Sequence, residues 1–317
     1  MPGRAAVLAP TSRPWGLFVL ALLAACASDP SVRRATAIAS ADRVARAALD
    51  NENRLDPGRI PARTLAVLPF TVSSNDTLLT PLGFGLADLL MSDLAKSPEL
   101  RLVERVQTNA MLRELKLVDQ GITDPRQAPR VGRLVGARRL LLGEAARAGG
   151  LNGANVRLSA RVVDVIGGTV QDLVSAEAPI DRVIDAEKAL ALLLFERLGI
   201  NLTPAQRARV EQRQTTQLTA LVAYGRGVRA EASGDAVGAT AAFEEASRLD
   251  AAFAAARTQA VAAPVASSQR TSSLARVLDL STQAINAPMT TKLAEAVDAP
   301  LASGSVLMLT FIIRVTP

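Results

Sequence analysis

Short apolar runs alternate along the central part of the chain with longer segments whose apolar positions follow helical spacing. The run at 64–70 is apolar on both faces, which is typical of a strand buried within a sheet. Residues 155–165 alternate apolar and polar positions, which predicts a strand with one solvated face. Leucines recur at helical spacing in 81–96 and 181–198, which predicts two helices. Further strands are predicted at 100–104, 136–144 and 169–177, and further helices at 107–117 and 127–134.

The order of these elements predicts an α/β domain over residues 63–200, a small mixed sheet flanked by helices. Gly167 and Gly168 form the kind of two-residue turn that joins two hairpin strands. The strands on either side of these glycines are therefore expected to pair with each other. Residues 145–154 are expected to form a loop rich in Gly, Ala and Asn.

An all-α segment is predicted over residues 201–262, with a helix starting at residues 203–204, where Thr precedes Pro. Beyond it, small and aromatic residues fall at the spacing of a tetratricopeptide repeat, whose period is about 34 residues: Ala220, Tyr224, Gly227, Gly234, Asp235, Ala239, Ala242, Phe243, Ala246, Leu249, Asp250 and Phe253. One copy predicts a single helical hairpin that must pack on the α/β domain, another subunit or a partner. Tyr224, Phe243 and Phe253 are predicted to bind a partner; the alternative is a plain hairpin with no binding role.

The C-terminal segment, residues 263–317, is rich in Ala, Ser and Thr and is interrupted by prolines, so it is expected to be largely irregular. Its last part, 305–316, has the composition of a strand and is too short for a membrane-spanning helix. An added sheet edge or a strand shared between subunits is expected there.

The N-terminus has the pattern of a secretory signal over residues 1–25. A short region with positive charge at Arg4 and Arg13 precedes the apolar run 15–25, which is shorter than the about 20 residues that span a bilayer. The run ends at Leu23, Ala24 and Ala25, followed by Cys26, and this sequence resembles the lipobox of bacterial lipoproteins.

Cys26 is accordingly the predicted lipidation site. A free thiol there would accept the diacylglyceryl group, and the acyl chains, palmitate among them, would hold the protein at a membrane. Cys26 is the only cysteine of the chain, and the alternative is a buried thiol that follows a signal by chance. By resemblance to Gram-negative lipoproteins, Ala27 in place of Asp implies export to the outer membrane, with the protein facing the periplasm.

Residues 26–62 are predicted to be a lipidated tether. An Ala/Arg-rich helical pattern covers 31–49, and Pro57, Gly58 and Pro61 break the helical pattern beyond it. If it were flexible, this segment would reach on the order of 30 Å and lift the domain away from the membrane.

Composition narrows the possible chemistry. The chain has no histidine, which excludes histidine-based catalysis and histidine-liganded metal sites. The net charge of +6 falls to +4 once the two signal arginines are removed, and aromatic residues make up only 3%. A nucleic-acid-binding protein would concentrate positive charge beside stacking aromatics, so no nucleic-acid partner is expected.

The carboxylates of the central domain are the remaining candidates for chemistry. Asp76 is predicted to make an Asx turn rather than bind a cation. Asp88 and Asp93 are expected to be solvated, and Asp164 is expected to form a cross-strand ion pair with Arg161. No active site, cofactor site or metal site emerges, which predicts a protein that is not an enzyme.

Five motifs in a fixed order resemble the CsgG family, which takes in curli secretion lipoproteins and related FlgO-type and TolB-like modules. They are TLAVLPF at 64–70, LGFGLADLL at 82–90, LRLVER at 100–105, LVGA at 134–137 and LSARVVDVIGG at 158–168. The resemblance covers about residues 63–200. It implies a periplasmic α/β domain that acts in secretion or assembly and carries no catalytic residues.

One departure from the family bears on function. Curli secretion channels insert a long membrane hairpin after the strand that corresponds to 140–144, whereas here only the ten residues 145–154 precede the next strand. A membrane β-strand needs about 9–11 residues and a hairpin needs two.

The sequence therefore predicts a non-enzymatic envelope lipoprotein that contacts other envelope proteins in the secretion or assembly of surface structures. The alternatives are a lipoprotein that regulates a peptidoglycan synthase and a subunit of an oligomeric outer-membrane secretion channel. The channels of the family are rings of subunits, so homo-oligomerisation of this protein is compatible with each of these three functions.

Overall fold

The computed structural model describes residues 30–262, except for 73–75, 77–78, 119–124, 150–153 and 171–172. The chain divides at residue 265 into two compact units, and every described residue lies in the first. The predicted lipobox, Cys26 and the strand predicted at 305–316 lie outside the described residues.

The described residues form nine helices and six strands. The helices are α1 Pro30–Asp50, α2 Leu79–Leu94, α3 Arg105–Glu114, α4 Ala128–Val135, α5 Val183–Arg197, α6 Pro204–Glu211, α7 Leu218–Ser233, α8 Ala236–Leu249 and α9 Ala254–Ala262. The strands are β1 Thr64–Val67, β2 Thr71–Val72, β3 Arg101–Leu102, β4 Arg139–Ala148, β5 Asn155–Asp164 and β6 Val174–Pro179. Short 3₁₀ turns lie at Glu52–Arg54, Pro57–Arg59, Pro125–Gln127 and Ile180–Arg182.

The strands form one mixed sheet in the order β3-β1-β4-β5-β6. β1 pairs in parallel with β3 and β4, and the short β2 pairs in parallel with the second half of β4. β4, β5 and β6 are antiparallel neighbours. The predicted fold class, a small mixed sheet flanked by helices and followed by an all-α hairpin, is confirmed.

Helices cover both faces of this sheet. Leu65 and Val67 of β1 cluster with leucines of α2 and α5, whereas Ala66 and Leu68 cluster with residues of α3 and α4. Successive side chains of a strand point to opposite faces, so burial on both faces explains why β1 is apolar at three successive positions, Leu65, Ala66 and Val67.

β4 is longer than the sequence predicts. It continues through Ala148, and residues 145–148 pair with β5 while Ala145 also pairs with Val72. Alanine has a low intrinsic strand propensity, but the backbone hydrogen bonds to β5 hold these residues in the sheet. Only residues 149–154 therefore connect β4 to β5.

The connection from β5 to β6 also differs from the prediction. Asp164 N donates to Thr169 O at 2.9 Å, which closes a four-residue loop instead of a two-residue turn. The Asp164 carboxylate accepts hydrogen bonds from the backbone N–H groups of Ile166 and Gly167, and Gly168 adopts a positive φ of 64°. Val170 forms an isolated bridge with Val163, and β6 begins at Val174 rather than at Thr169.

The helical hairpin of α7 and α8 packs directly on the α/β part. A Cβ atom at Gly225 of α7 would lie 1.9 Å from the carbonyl oxygen of Pro81 in α2, so the two backbones approach too closely for any side chain. Asp235 caps α8 by accepting from Gly238 N at 2.8 Å, after Gly234 with its φ of 86° has ended α7. Sheet and hairpin thus share one apolar core.

The helical pattern predicted over residues 31–49 is confirmed, but the helix packs on the domain instead of extending away from it as a free tether. Residues 30–50 form the single helix α1, whose Ala41 and Ala45 are buried against Ala110 and Met111 of α3. Small side chains on one stripe let α1 lie close to α3, and this packing holds the helix against the domain.

Candidate interaction surface

The three aromatic residues predicted to bind a partner lie together inside the protein. The ring of Tyr224 is 5.5 Å from that of Phe243 and 4.9 Å from that of Phe253, centroid to centroid. None of the three residues is more than 1% exposed. Tilted aromatic pairs at this separation stabilise a core, so in this fold the rings hold the hairpin together and present no surface to a partner.

A buried ion network joins the helical hairpin to the α/β part. Arg105, at the start of α3, lies 2.8 Å from Asp88 of α2 and 2.8 Å from Glu231 of α7. Tyr224 donates its hydroxyl hydrogen to Asp88, and Arg34 of α1 donates to Glu231 at 2.6 Å. Four helices therefore meet at these five charged or polar side chains.

The electrostatics of this network fix its protonation. Burial alone would lower the pKa of Arg105, but the negative charges of Asp88 and Glu231 outweigh it, and the pKa of the guanidinium is raised. Burial and the charge of Asp88 raise the pKa of Tyr224 well above its ordinary value. Arg105 therefore stays charged and Tyr224 stays neutral at physiological pH, which suits a structural role.

The expectation that Asp88 and Asp93 are solvated is wrong. The Asp88 side chain is 11% exposed and belongs to the network around Arg105. Asp93 is 1% exposed and accepts a hydrogen bond from Lys188 of α5, which lies 95 positions further along the chain. A carboxylate can be buried when a cation partners it, and here tertiary packing supplies both partners.

Glu187 lies beside that pair and is completely buried. Its Oε2 is 3.2 Å from Nζ of Lys188. Burial, together with the nearby negative charge of Asp93, raises the pKa of Glu187 to about 8 despite the attraction of Lys188. Burial also raises the pKa of Asp93, against the opposing effect of Lys188. Two carboxyl groups thus lie beside one cation in the core between α2 and α5.

Helical spacing contains a signal for these buried charges. Tyr224, Val228 and Glu231 recur at intervals of four and three, and Asp93 continues the stripe of Leu86, Leu89 and Leu90. Residues three or four apart share one face of a helix. A charged residue on an otherwise apolar stripe therefore marks a position where a buried partner is needed.

The other two candidate carboxylates, Asp76 and Asp164, accept hydrogen bonds from backbone N–H groups, Asp76 at the start of a helix and Asp164 in the loop that follows β5. Asp76 accepts from the backbone N–H of Leu79 at 3.1 Å, at the start of α2, and pairs with Arg147 at 2.8 Å. Asp164 holds the loop after β5, and its ion-pair partner is Arg138 at 3.4 Å rather than the predicted Arg161. Arg161 lies three positions away on the same strand, so its side chain leaves the opposite face of the sheet.

A small groove of about 250 Å³ opens between α1, the α7–α8 hairpin and α9. Its walls are mainly apolar, and they include Ile38, Ala39, Ala239 and Phe243, with Arg34 at one side. Ligand pockets usually measure roughly 300–1,000 Å³, so the groove is small for an organic cofactor.

The described residues contain no group of three or more His, Cys, Asp or Glu side chains placed to hold a metal ion. Within those same residues, every helix is too short or too polar to cross a bilayer.

Residues 61–147 match the family described as curli production assembly/transport component CsgG. This confirms over those residues the resemblance that the sequence motifs predict, from β1 to the end of β4. The C-terminal domain of LpoB from Salmonella enterica is a solved structure similar to this chain, at 20% identity and a TM-score of 0.31, and the alignment covers 41% of this chain and 91% of that domain. No curated protein matches the chain.

Proposed function

We propose that this protein is an envelope lipoprotein that is anchored through Cys26 and acts by protein–protein contacts in the secretion or assembly of surface structures. The match of residues 61–147 to a curli assembly and transport family is the observation that supports this role most directly. The signal and lipobox pattern at residues 1–26 supports export and lipidation. Neither feature requires catalysis, and the protein is proposed to have none.

The docking of α1 shapes how such an anchor would work. Cys26 precedes Pro30 by four positions, which bridge at most about 14 Å. Because α1 begins at Pro30 and packs on α3 through Ala41 and Ala45, the domain would be held close to the lipid surface instead of at the end of a long tether. Partners would then be met at the membrane surface of the periplasm, with the outer membrane as the proposed location.

The short β4–β5 connection favours an adaptor over a channel subunit. The six residues 149–154 are fewer than one membrane-spanning β-strand requires. The membrane hairpin that curli secretion channels carry at this point would need two such strands, so it cannot fit into this connection. A tethered adaptor therefore fits the chain better than a pore-forming ring.

Cys26→Ala tests the proposal, with Ser28→Ala as the matched control. Both variants and the wild type are expressed in a Gram-negative host, membranes are separated by density, and the detergent-extracted protein is sized. Wild type and Ser28→Ala are expected in the outer-membrane fraction as a small particle, and Cys26→Ala is expected in the soluble fraction. Retention of Cys26→Ala in the membrane would disprove the anchor, and a ring-sized particle would restore the channel. Isolation with a cell-wall synthase would replace assembly by regulation of that enzyme.

A further inference from the structure

The segment that connects β5 to β6 exposes three large apolar side chains. Ile166 is 46% exposed, Val170 is 47% exposed and Leu173 is 54% exposed. We call these three residues the apolar tip; Gln171 and Asp172 lie between them and outside the described residues. Asp164 holds the first part of this connection in shape by accepting hydrogen bonds from the backbone N–H groups of Ile166 and Gly167, and Val170 forms an isolated bridge with Val163.

A row of arginines lies at the same end of the sheet. Arg101 N donates to Arg63 O, Arg138 N donates to Thr64 O, and Val165 N donates to Arg138 O, each at 2.9–3.0 Å. Arg139 is the register partner of Asp164, the residue that begins the loop of the apolar tip. We call Arg63, Arg101, Arg138 and Arg139 the arginine row. β4 and β5 are antiparallel, so the start of β4 and the end of β5 lie at the same end of the sheet. Neighbouring strands are about 4.8 Å apart, and the arginine row and the apolar tip therefore share this end.

This end of the sheet carries a positive excess. Arg63 pairs with Glu99, and Arg138 pairs with Asp164. Among the described residues, Arg101 and Arg139 have no carboxylate within ion-pair distance. The single charge of Asp172 would leave the excess positive.

We infer that the apolar tip and the arginine row bind an anionic lipid surface. Exposed apolar side chains can enter the boundary between headgroups and acyl chains, and arginines at the same end of the sheet attract anionic headgroups. The charge complementarity between the arginine row and anionic headgroups argues for this ligand. The inference rests on the proposed function only in that the anchor at Cys26 would keep a membrane nearby.

The distance between anchor and tip gives this contact a role. α1 has 21 residues, so it is about 30 Å long at 1.5 Å per residue. Its N-terminus follows Cys26, while Glu52, just beyond its C-terminus, pairs with Arg130 of α4. α4 borders the tip, because a Cβ at Gly168 would lie 3.9 Å from Pro129. Lipid at one end and the tip at the other would hold α1 along the membrane and orient the domain.

The test uses the mature chain with Cys26→Ala, so that no acyl chain contributes to binding. Vesicles of phosphatidylcholine, alone or mixed with phosphatidylglycerol, are floated on a density gradient with the protein. We expect binding to the mixed vesicles, weakened by salt, and little binding to phosphatidylcholine. Arg101→Gln and Arg139→Gln should each weaken partition about fivefold, and Val170→Asp combined with Leu173→Asp should weaken it by roughly tenfold or more.

Exposed residues elsewhere provide matched controls. Val237 is 61% exposed on α8, and Arg248 is exposed near the end of the same helix. Val237→Asp and Arg248→Gln should leave partition unchanged. Equal loss in the tip variants and these controls, or equal binding to neutral vesicles, would overturn the inference. An absence of binding to either vesicle would also overturn it and would point to an acidic protein surface instead.

A single introduced thiol gives an independent measurement. The Cys26→Ala chain has no other cysteine, so Val170→Cys can be labelled with an environment-sensitive fluorophore, with Val237→Cys as control. A blue shift at position 170 alone, on mixed vesicles, supports insertion of the tip. No shift at position 170 would exclude insertion even if Cys26 proves to be the anchor. Failure of the anchor in the fractionation experiment would leave this vesicle result standing.

Discussion

Glu187→Gln should remove a pH dependence that is built into the core. The folded protein raises the pKa of Glu187 to about 8 from an ordinary value of 4.5, chiefly because the side chain is buried. The folded state therefore binds this proton more tightly than the unfolded state. Its stabilising contribution is fully present below pH 4.5 and is lost as the pH rises towards 8.

The size of the effect is set by one proton. Between these two pKa values the free energy of unfolding falls by about 1.4 kcal/mol per pH unit. From pH 5 to pH 7 the loss is roughly 3 kcal/mol, a large share of the roughly 5–15 kcal/mol that stabilises a typical domain. A neutral glutamine has the same shape and no proton to lose, so Glu187→Gln should match the wild type near pH 5 and exceed its stability near pH 8.

Urea unfolding of the mature Cys26→Ala chain, followed by far-ultraviolet circular dichroism at several pH values, measures this slope. Glu196→Gln is the control, since Glu196 is exposed on the same helix α5; it should keep the wild-type slope. If Glu187→Gln also kept the full slope, Glu187 could not be the group responsible. The remaining slope would then be assigned to Asp93, whose pKa is raised by burial as well.

Three further substitutions test the packing. Arg105→Met leaves Asp88 without its cation and Glu231 with Arg34 alone, and it should lower the free energy of unfolding by about 3–5 kcal/mol in urea, whereas exposed Arg101→Gln should change it little. Gly225→Ala forces a Cβ towards the carbonyl oxygen of Pro81 and should cost about 1–3 kcal/mol, seen as a lower Tm. Ala45→Asp places a charge where α1 meets α3, so amide exchange should accelerate in α1 while the sheet stays protected. An unchanged Tm for Gly225→Ala, or unchanged exchange for Ala45→Asp, would contradict the packing described.

Local pattern predicts the elements of this fold well. Leucines at helical spacing place α2 and α5, and the apolar run that follows Thr64 places β1. Periodicity indicates which face of an element is buried. In a sheet covered by helices on both sides, the central strands are buried on both faces. The resemblance to the CsgG family, carried by motifs in a fixed order, is confirmed for residues 61–147.

The ends of helices and strands and the geometry of loops depend on neighbouring elements, so the sequence predicts them less well. β4 continues through alanines because β5 pairs with them, and the hairpin after β5 takes four residues because Asp164 accepts two backbone hydrogen bonds. The tether expected at the N-terminus contains a docked helix, since α3 offers a surface for its alanines. Each difference arises from contacts that periodicity within one element does not report.

The sequence by itself determined the types and order of the elements, the absence of histidine chemistry and the candidate lipid attachment at Cys26. Only the tertiary structure decided which charges are buried, because a carboxylate such as Asp93 enters the core when Lys188 arrives from another helix to neutralise it. It also decided that Tyr224 and Phe243 stabilise the core while Ile166 and Leu173 face solvent. An apolar side chain has the same chemistry in a core and on a surface, and only the packing around it determines in which of the two it lies.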